Sequence, residues 1–549
     1  MTNENHHVSS LNGEDEKSVT RSAGIVSIAV MASRLLGLVR EQVIAYFFVS
    51  ATSADAFYAA FRIPNLMRDL FGEGVLSKAF IAAFTSTDEE DGQDAAWRLA
   101  SRVFNITAVV LMALTLICVL AAPLIVDILF VGKGFQDVAL DPSEHAGISS
   151  KRDLTVYLAR IMFPFLILVS LAAVAMGLLN SKGKFGVPAC ASLFFNLGSI
   201  VIGVWGYYTL PRMGLHPVTG MAFGVLVGGA LQFIIQIPLM RRCGFRYQLA
   251  ISFRDERVKQ VIRLILPMIL GVAALQVNLF VNSIFASEGK GWMTWIIRAF
   301  RLMHLPIGIF GVAISTAALP NLSKLIARGE VDNFRRSFSY ALRLILLLTL
   351  PASVGLMVLG EPICRLVFEW GKTGAIDTSE TAGALFCYAF GLCGFSLIKI
   401  ASDGFFAFKD TRTPAVASLC AVALNIVLNY LLIFQFNFGH RSLALSTSCT
   451  ITLNCIILLI VLRHRTGGLG LRGIWRMLAK TVGVSTAMGF ICWRTNVWIE
   501  EWIGIANLFA RAFGVFVPIG IGVVVLVCLA KLLKIGELSQ LISAIARRR

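Results

Sequence analysis

Long apolar stretches separated by short polar loops recur along the whole chain. Each is about 18 residues or longer, which lets a helix cross roughly 30 Å of hydrocarbon. The pattern therefore predicts an all-α polytopic membrane protein with about fourteen transmembrane helices, and none of the loops is long enough to form a soluble domain. The predicted spans are 22–48, 54–84, 103–130, 155–180, 186–207, 217–240, 258–287, 292–319, 337–360, 381–406, 413–435, 442–462, 475–493 and 510–532.

The composition agrees with this prediction. Hydrophobic residues make up 57% of the chain and charged residues only 15%. Soluble domains carry about a quarter charged residues, and a soluble protein of this composition would expose large apolar patches to water. The eleven cysteines are scattered and form no metal-binding or redox spacing. We therefore predict neither a metal nor another cofactor.

Basic residues are unevenly distributed among the loops. Loops after even-numbered spans are rich in Lys and Arg, whereas loops after odd-numbered spans are poor in them. The positive-inside rule then predicts that both termini of this multi-pass protein are cytoplasmic. The net charge of +17 is spread over these short loops, so we predict no nucleic-acid partner. Residues 1–20 are predicted to be a disordered cytoplasmic tail, and 536–549 a basic cytoplasmic tail.

A short internal repeat indicates two similar halves. The stretches "VPACASLFFN" and "TPAVASLCAV" share P-A-x-A-S-L, with Pro188 and Pro414 in register 226 positions apart. The copies open spans 5 and 11, which fits two six-helix lobes of the same orientation. We predict an N-lobe over 21–240, a C-lobe over 241–465 and a pair of additional spans over 466–535. Span 6 also carries a GxxxGxxxG row, Gly220 to Gly228, which predicts close helix packing.

Spans 1, 2 and 8 contain an unusual number of charges for membrane helices. A charged side chain at the centre of a bilayer costs about 2.5–3.5 kcal/mol or more, so such residues usually face a cavity or a partner. Arginines outnumber carboxylates in this set, and the surplus suggests an anion such as phosphate, which arginine binds with a planar pair of donors. The set comprises Arg34, Arg40, Glu41, Asp55, Arg62, Arg68, Asp69, Glu73, Arg298, Arg301 and His304.

A purely structural alternative stays open for these charges. Arg34 could pair with Glu41, and Arg68 with Glu73. Asp55, near the outer end of span 2, is a candidate gate or ion-coupling residue, and a simple helix N-cap is the alternative.

Several stretches resemble the MurJ/MviN lipid II flippases. They are "ASRLLGLVREQVIA", "ADAFYAAFRIPNLMRDLFGEGVLSKAF" and "FRLMHLPIGIFGVAISTAALPNLSK", and the likeness covers about residues 22–535. The resemblance implies the fold of the MOP transporter superfamily, with spans 13 and 14 forming a groove for the lipid tail. It places the family's cavity arginines on Arg34, Arg40, Arg68 and Arg301, and its outer aspartate on Asp55.

The resemblance implies a protein of the bacterial inner membrane that translocates lipid II from the cytoplasmic to the periplasmic leaflet, and alternating access is the expected mechanism. Glu41 and Glu73 join Asp55 as gate or coupling candidates, and membrane potential or a monovalent ion is the candidate energy source. Lipid II, membrane lipids and the peptidoglycan synthesis and division machinery are the expected partners. Two alternatives are an exporter of another polyprenyl-linked glycan and a multidrug exporter of the same superfamily. The chain lacks a nucleophile or metal constellation, so we do not expect an enzyme.

Overall fold

The computed structural model is almost entirely helical. In the described part of the chain, the only β pairing is an isolated bridge between Ala139 and Ser150. The prediction of an all-α polytopic membrane protein is confirmed. The structure describes residues 29, 31–47, 51–71, 75–136, 138–140, 147–371, 373–469 and 471–537.

Two compact units divide the chain after Gln276, which lies inside a long helix. The helices that begin in the first unit are α1 (31–47), α2 (Ala51–Phe71), α3 (Val75–Glu90), α4 (Gln93–Leu120), α5 (Ala122–Leu129), α6 (Lys133–Gln136), α7 (Lys151–Met162), α8 (Phe165–Ser181), α9 (Gly186–Thr209), α10 (Thr219–Ile234), α11 (Ile237–Arg242) and α12 (Glu256–Ala286).

The second unit contains the remaining helices. The predicted lobes and the two-span appendage stay predictions, since neither unit tests those boundaries. The helices are α13 (Trp292–Pro306), α14 (Ala313–Ala327), α15 (Val331–Val358), α16 (Gly360–Phe368), α17 (Ala375–Ala407), α18 (Arg412–Tyr430), α19 (Arg441–Thr466), α20 (Leu471–Ile503) and α21 (Leu508–Leu532).

The predicted spans fall on these helices, with corrections at several ends. Of the described helical stretches, ten are long and apolar enough to cross a membrane. The predicted span 54–84 is not one helix but two, α2 and α3. Gly72 and Gly74 lie between them in the sequence, and glycine is a poor helix former. The span predicted to end at 493 continues as α20 to Ile503.

Both copies of the repeat open a helix. Each proline lies in the first turn, Pro188 in α9 and Pro414 in α18, where its missing N–H is not needed. Each of the two helices then packs against the next long helix, α9 against α10 and α18 against α19. The repeat therefore marks equivalent helix starts in the two units.

The glycine row of α10 lies directly against the backbone of α9. A Cβ added at Gly224 would lie 2.7 Å from the carbonyl oxygen of Ser199, and one added at Gly228 would lie 2.5 Å from that of Phe195. Gly206 and Gly220 face each other in the same way. The close approach predicted from the GxxxGxxxG spacing is present, and it leaves no room for a side chain.

Replacing Gly224 by alanine is expected to lower the thermal stability of the protein in detergent. The added methyl group meets backbone, which cannot turn aside, and overpacking of this kind costs about 1–3 kcal/mol. Gly355→Ala in α15 is the matched control, because its Cβ would have no atom within 4 Å. Equal unfolding temperatures for the two variants, measured by loss of the monodisperse peak on heating, would contradict this packing.

Asp410 organises the loop before α18. Its carboxylate accepts hydrogen bonds from the backbone N–H and hydroxyl of Thr413 at 3.1 and 2.8 Å, and it pairs with Arg465 at 2.6 Å. These hydrogen bonds, chiefly the one from the Thr413 backbone, hold the pKa of Asp410 below its usual value of 3.8.

This lowered pKa predicts a pH-dependent effect of Asp410→Asn. The carboxylate stabilises the folded state above its usual pKa, and this contribution is lost as pH falls through the lower folded value. The variant should therefore melt below the wild type near neutral pH, and the difference should shrink in acid. If the melting temperatures of the variant and the wild type differ by the same amount at neutral and at acidic pH, this role of the Asp410 carboxylate would be contradicted.

Candidate functional site

Helix α1 presents its two arginines on different sides. Six residues separate Arg34 from Arg40, which turns them about 120° apart on a regular helix. Arg34 is exposed, whereas Arg40 is buried with 6% of its surface accessible. Asn196 of α9 donates a hydrogen bond to the carbonyl of Ser33 at 3.1 Å and lies beside Gly37. The two guanidinium groups therefore do not share one face.

Arg40 is held in a buried cluster. Its guanidinium lies 3.5 Å from the carboxylate of Glu41 and 5.9 and 5.3 Å from the ring centroids of Phe61 and Phe195. Glu41 is fully buried and also accepts a hydrogen bond from the hydroxyl of Tyr58. The sequence allowed a pair between Glu41 and Arg34, but the structure gives Glu41 to Arg40 instead. In this conformation the charge of Arg40 is balanced within the first unit.

Asp55 forms a second buried pair on the same helix as Tyr58. Its carboxylate lies 3.0 Å from the ammonium of Lys151, and both side chains are 1% exposed. Lys151 is the first residue of α7, so this pair ties the N-terminal end of α2 to the start of α7. The alternative of a helix N-cap is wrong, because α2 begins at Ala51 and Asp55 lies one turn inside it, where it is a member of a buried ion pair.

The surroundings of Lys151 fix its ammonium in place. It also donates to the carbonyl of Gly134 at 3.2 Å and lies 4.5 Å from the ring centroid of Phe135. Ser150 caps α7 by accepting from the N–H of Asp153 at 3.0 Å. A buried ion pair is retained only where such additional contacts compensate for lost hydration.

The other predicted arginines are half-buried. Arg68 lies near the C-terminal end of α2, and Arg301 lies in α13 of the second unit. Glu73, the third gate candidate, lies outside the described residues. Convergence of Arg34, Arg68 and Arg301 on one cavity stays a prediction.

Arg298 is a buried charge of the second unit. It is 2% exposed, and its guanidinium lies 5.4 Å from the ring centroid of Phe368. Within the described residues, no carboxylate lies within 4 Å of its guanidinium. The ion pairs of this region are formed by other residues. Because arginine remains protonated at any ordinary pH, Arg298 contributes a positive charge that these side chains do not neutralise.

The helix that carries both arginines is irregular just beyond them. Pro306 ends α13, and Ile307–Val312 form a π-helical turn before α14 begins. Proline cannot donate the backbone hydrogen bond of a regular helix, and π turns within helices are frequent at functional sites. The break lies about 7–8 Å along the helix from Arg301 at 1.5 Å per residue.

An uncharged polar network in the second unit was not anticipated from the sequence. Asn429 donates to Asn282 at 2.8 Å and to Asn425 at 3.1 Å, and it accepts from Ser446. Asn425 and Asn429 are both fully buried and lie one turn apart on α18. Their i, i+4 spacing in an apolar helix was the signal that could have revealed it.

Comparison with known proteins now assigns the family. A sequence model described as "Lipid II flippase MurJ" matches residues 44–513. The chain belongs to the MurJ family. It is 33% identical over 467 residues to a probable lipid II flippase MurJ of Vibrio cholerae, covering 85% of this chain and 86% of that protein. It is 32% identical over 474 residues to a lipid II flippase MurJ of Burkholderia cenocepacia, covering 85% and 88% of the two chains.

Solved structures place this MurJ-family chain in the same fold. A lipid II flippase MurJ in an inward closed conformation matches with a TM-score of 0.74 at 26% identity, covering 92% of this chain and 98% of that one. An inward-facing multidrug resistance transporter of the MATE family, in the MOP superfamily, matches at 0.66 and 15% identity, over 81% and 98%. The second likeness shows the fold alone. The predicted MurJ resemblance and MOP-type architecture are confirmed.

Lys151 is the site residue that sequence reasoning missed. It follows a polar loop and begins a helix, so it has the pattern of a solvated helix end. Only the fold shows that α7 brings it onto Asp55, 96 residues earlier in the chain. The neighbouring Arg152 behaves as expected for a charged residue at a solvated helix end, because it forms a half-exposed ion pair with Asp127.

Proposed function

We propose that this chain translocates lipid II, the polyprenyl-pyrophosphate-linked peptidoglycan precursor, from the cytoplasmic to the periplasmic leaflet of the inner membrane. Membership of the MurJ family carries this proposal, supported by relatives at 32–33% identity that are named lipid II flippases. The arrangement of basic loops supports cytoplasmic termini. Alternating access of the two lobes moves the headgroup while the polyprenyl tail stays in lipid along α20 and α21.

The pyrophosphate is bound by arginines. Arg34, Arg68 and Arg301 supply planar donors that remain charged, and they suit a doubly charged phosphate group. Arg40 belongs to the same proposed site but is paired with Glu41 in this conformation, so its contact with substrate requires that pair to loosen. The unneutralised Arg298 in the same helix as Arg301 supports an excess of positive charge.

Asp55 acts as part of a gate. Its pairing with Lys151 fixes the end of α2 that lies toward the proposed periplasmic side. We assign to this pair the role of a latch that sets the position of α2 relative to α7. Membrane potential or a monovalent cation supplies the energy, at about 2.3 kcal/mol per charge per 100 mV for the potential.

The two rival substrates differ from lipid II in testable ways. A multidrug exporter of cationic compounds needs carboxylates in its cavity, whereas spans 1, 2 and 8 carry more arginines than acids. An exporter of another polyprenyl-linked glycan shares the pyrophosphate chemistry, so only the substrate itself separates it from a lipid II flippase.

Accessibility of lipid II from outside the cell tests the proposal. In cells that depend on this chain, its depletion should protect lipid II from an externally added enzyme that degrades it, because the substrate stays in the inner leaflet. Re-expression should restore cleavage. Unchanged cleavage after depletion would contradict the lipid II assignment and favour the other glycan.

A further inference from the structure

An irregular segment between α11 and α12 exposes large apolar side chains at every second position. Tyr247, Leu249, Ile251 and Phe253 are between 49% and 85% exposed. We call residues 246–254 the strap. Leu249, Ile251 and Phe253, three large exposed apolar side chains within five residues, form a patch that is unfavourable in water and typical of an interaction surface.

The strap is fixed to α4 by hydrogen bonds from its inner edge. Asn105 donates to the carbonyls of Gln248 and Ala250 at 3.0 and 2.9 Å, and the N–H of Gln248 donates to Ser101 at 3.2 Å. The hydroxyl of Tyr247 donates to Asn105 at 2.6 Å. These contacts fix the backbone of Gln248 and Ala250 and the side chain of Tyr247 against α4.

Both ends of the strap are also anchored. Before it, the ring of Phe245 packs 5.8 Å from that of Trp97 and 5.7 Å from that of Phe104. After it, Asp255 caps α12 by accepting from two backbone N–H groups and pairs with Arg102 of α4. The strap consequently has a defined height along α4.

The strap contacts α4 at the level where the lipid-facing part of that helix begins. The exposed apolar residues Val109, Val110 and Met112 begin one turn beyond Asn105, about 6 Å along the helix. The opposite end of α4 begins with exposed polar residues, Gln93 and Asp94. The strap thus lies where headgroups meet hydrocarbon.

The charged residues within the strap and just before it are all basic. Segment 241–254 has no Asp or Glu, and its arginines are exposed at Arg241, Arg242, Arg246 and Arg254. Neighbouring Arg257 is instead paired with Glu90 and Asp91 at 2.7 and 2.8 Å. None of the four exposed arginines forms an ion pair with a described residue, and exposed apolar side chains flanked by such arginines suit an anionic lipid surface.

We propose that the strap is a membrane-surface anchor that binds anionic phospholipids of the leaflet facing the basic loops. The guanidinium groups of Arg246 and Arg254 contact lipid phosphates, while Leu249, Ile251 and Phe253 enter the top of the acyl region. The anchor holds the α4–α12 side of the first unit at a fixed depth. The anchor itself does not depend on the proposed function. Only the identification of this leaflet as the cytoplasmic one rests on the orientation proposed there.

A nitroxide at position 249 tests the anchor in the full-length protein reconstituted in liposomes. Leu249→Cys carries the label, with Met112→Cys as the lipid-facing reference and Gln93→Cys as the water-facing reference on α4. In phosphatidylglycerol-containing liposomes, oxygen should relax the label at 249 more than a water-soluble nickel chelate does, as at 112. The accessible cysteines are first replaced by alanine, namely Cys190, Cys243, Cys387, Cys393, Cys420, Cys449 and Cys528.

The lipid charge and the arginines should both matter. Purely zwitterionic liposomes, or Arg246→Gln with Arg254→Gln in anionic liposomes, should increase the nickel relaxation at 249 severalfold while leaving position 112 unchanged. Nickel access at 249 equal to that at 93 in anionic liposomes would overturn the proposal, as would exclusion of both reagents, which indicates a covering protein. No transport is measured, so this failure would leave the flippase proposal standing.

Discussion

Replacing Lys151 by methionine is expected to abolish growth of cells that depend on this chain. Methionine keeps much of the volume but removes the cation 3.0 Å from Asp55, at a position where both side chains are 1% exposed. Losing one member of a buried pair costs about 3–5 kcal/mol because the remaining charge stays desolvated. Growth complementation and the amount of protein in the membrane are the two measurements.

Exchanging the two charges tests whether the pair itself is required, and the amount of protein in the membrane separates a latch from a folding defect. Asp55→Lys and Lys151→Asp should each fail alone, whereas the double exchange should recover growth by re-forming the pair in reverse. Arg160→Met is the control, since Arg160 is an exposed cation of the same helix α7. Normal growth of Lys151→Met at normal protein levels would show that the pair is dispensable.

Loss of one of the arginines proposed to bind the pyrophosphate, here called the cavity arginines, is expected to have an effect of similar size. Arg34→Gln, Arg68→Gln and Arg301→Gln should each fail to support growth while the protein remains in the membrane at wild-type amounts. Each removes a charge-assisted contact to phosphate worth about 1.5–3 kcal/mol, or roughly 10–150-fold in affinity. Arg→Lys at the same positions should retain part of the activity, because lysine keeps the charge but loses the planar fork.

The control for this series is Arg212→Gln. Arg212 is an exposed arginine of a 3₁₀ turn after α9, so its loss should leave growth unchanged. Full growth with any of the three cavity variants would remove that residue from the proposed site. Arg40→Gln is expected to act differently, by freeing buried Glu41 of its partner and lowering protein levels.

The lengths of the apolar stretches and the internal repeat were sufficient to predict the fold class. Apolar runs report directly on membrane spans, and the glycine row of α10 reports directly on a close helix contact. Helix interruptions were less predictable, because 54–84 reads as one apolar run although it forms α2 and α3. Local sequence also does not show how far α20 continues beyond the hydrocarbon.

The sequence indicated which charged residues are unusual, but it did not indicate their ion-pair partners. Arginine and aspartate stand out in apolar spans, so Arg40, Glu41 and Asp55 were visible as unusual residues. Their partners depend on which helices pack together, which a single sequence does not reveal. Lys151 reaches Asp55 across 96 residues, and Glu41 pairs with the adjacent Arg40 rather than with Arg34, which lies two turns, about 10 Å, away along the helix.

Binding of lipid II to purified protein tests the central claim that arginines hold the pyrophosphate. Retention of lipid II, measured by native mass spectrometry, should fall at least about tenfold in Arg34→Gln, Arg68→Gln and Arg301→Gln, and remain at the wild-type level in Arg212→Gln. A polyprenyl alcohol, which lacks the pyrophosphate, should bind all of them equally weakly. Equal retention of lipid II by the wild type and the three cavity variants would contradict an arginine-based anion site.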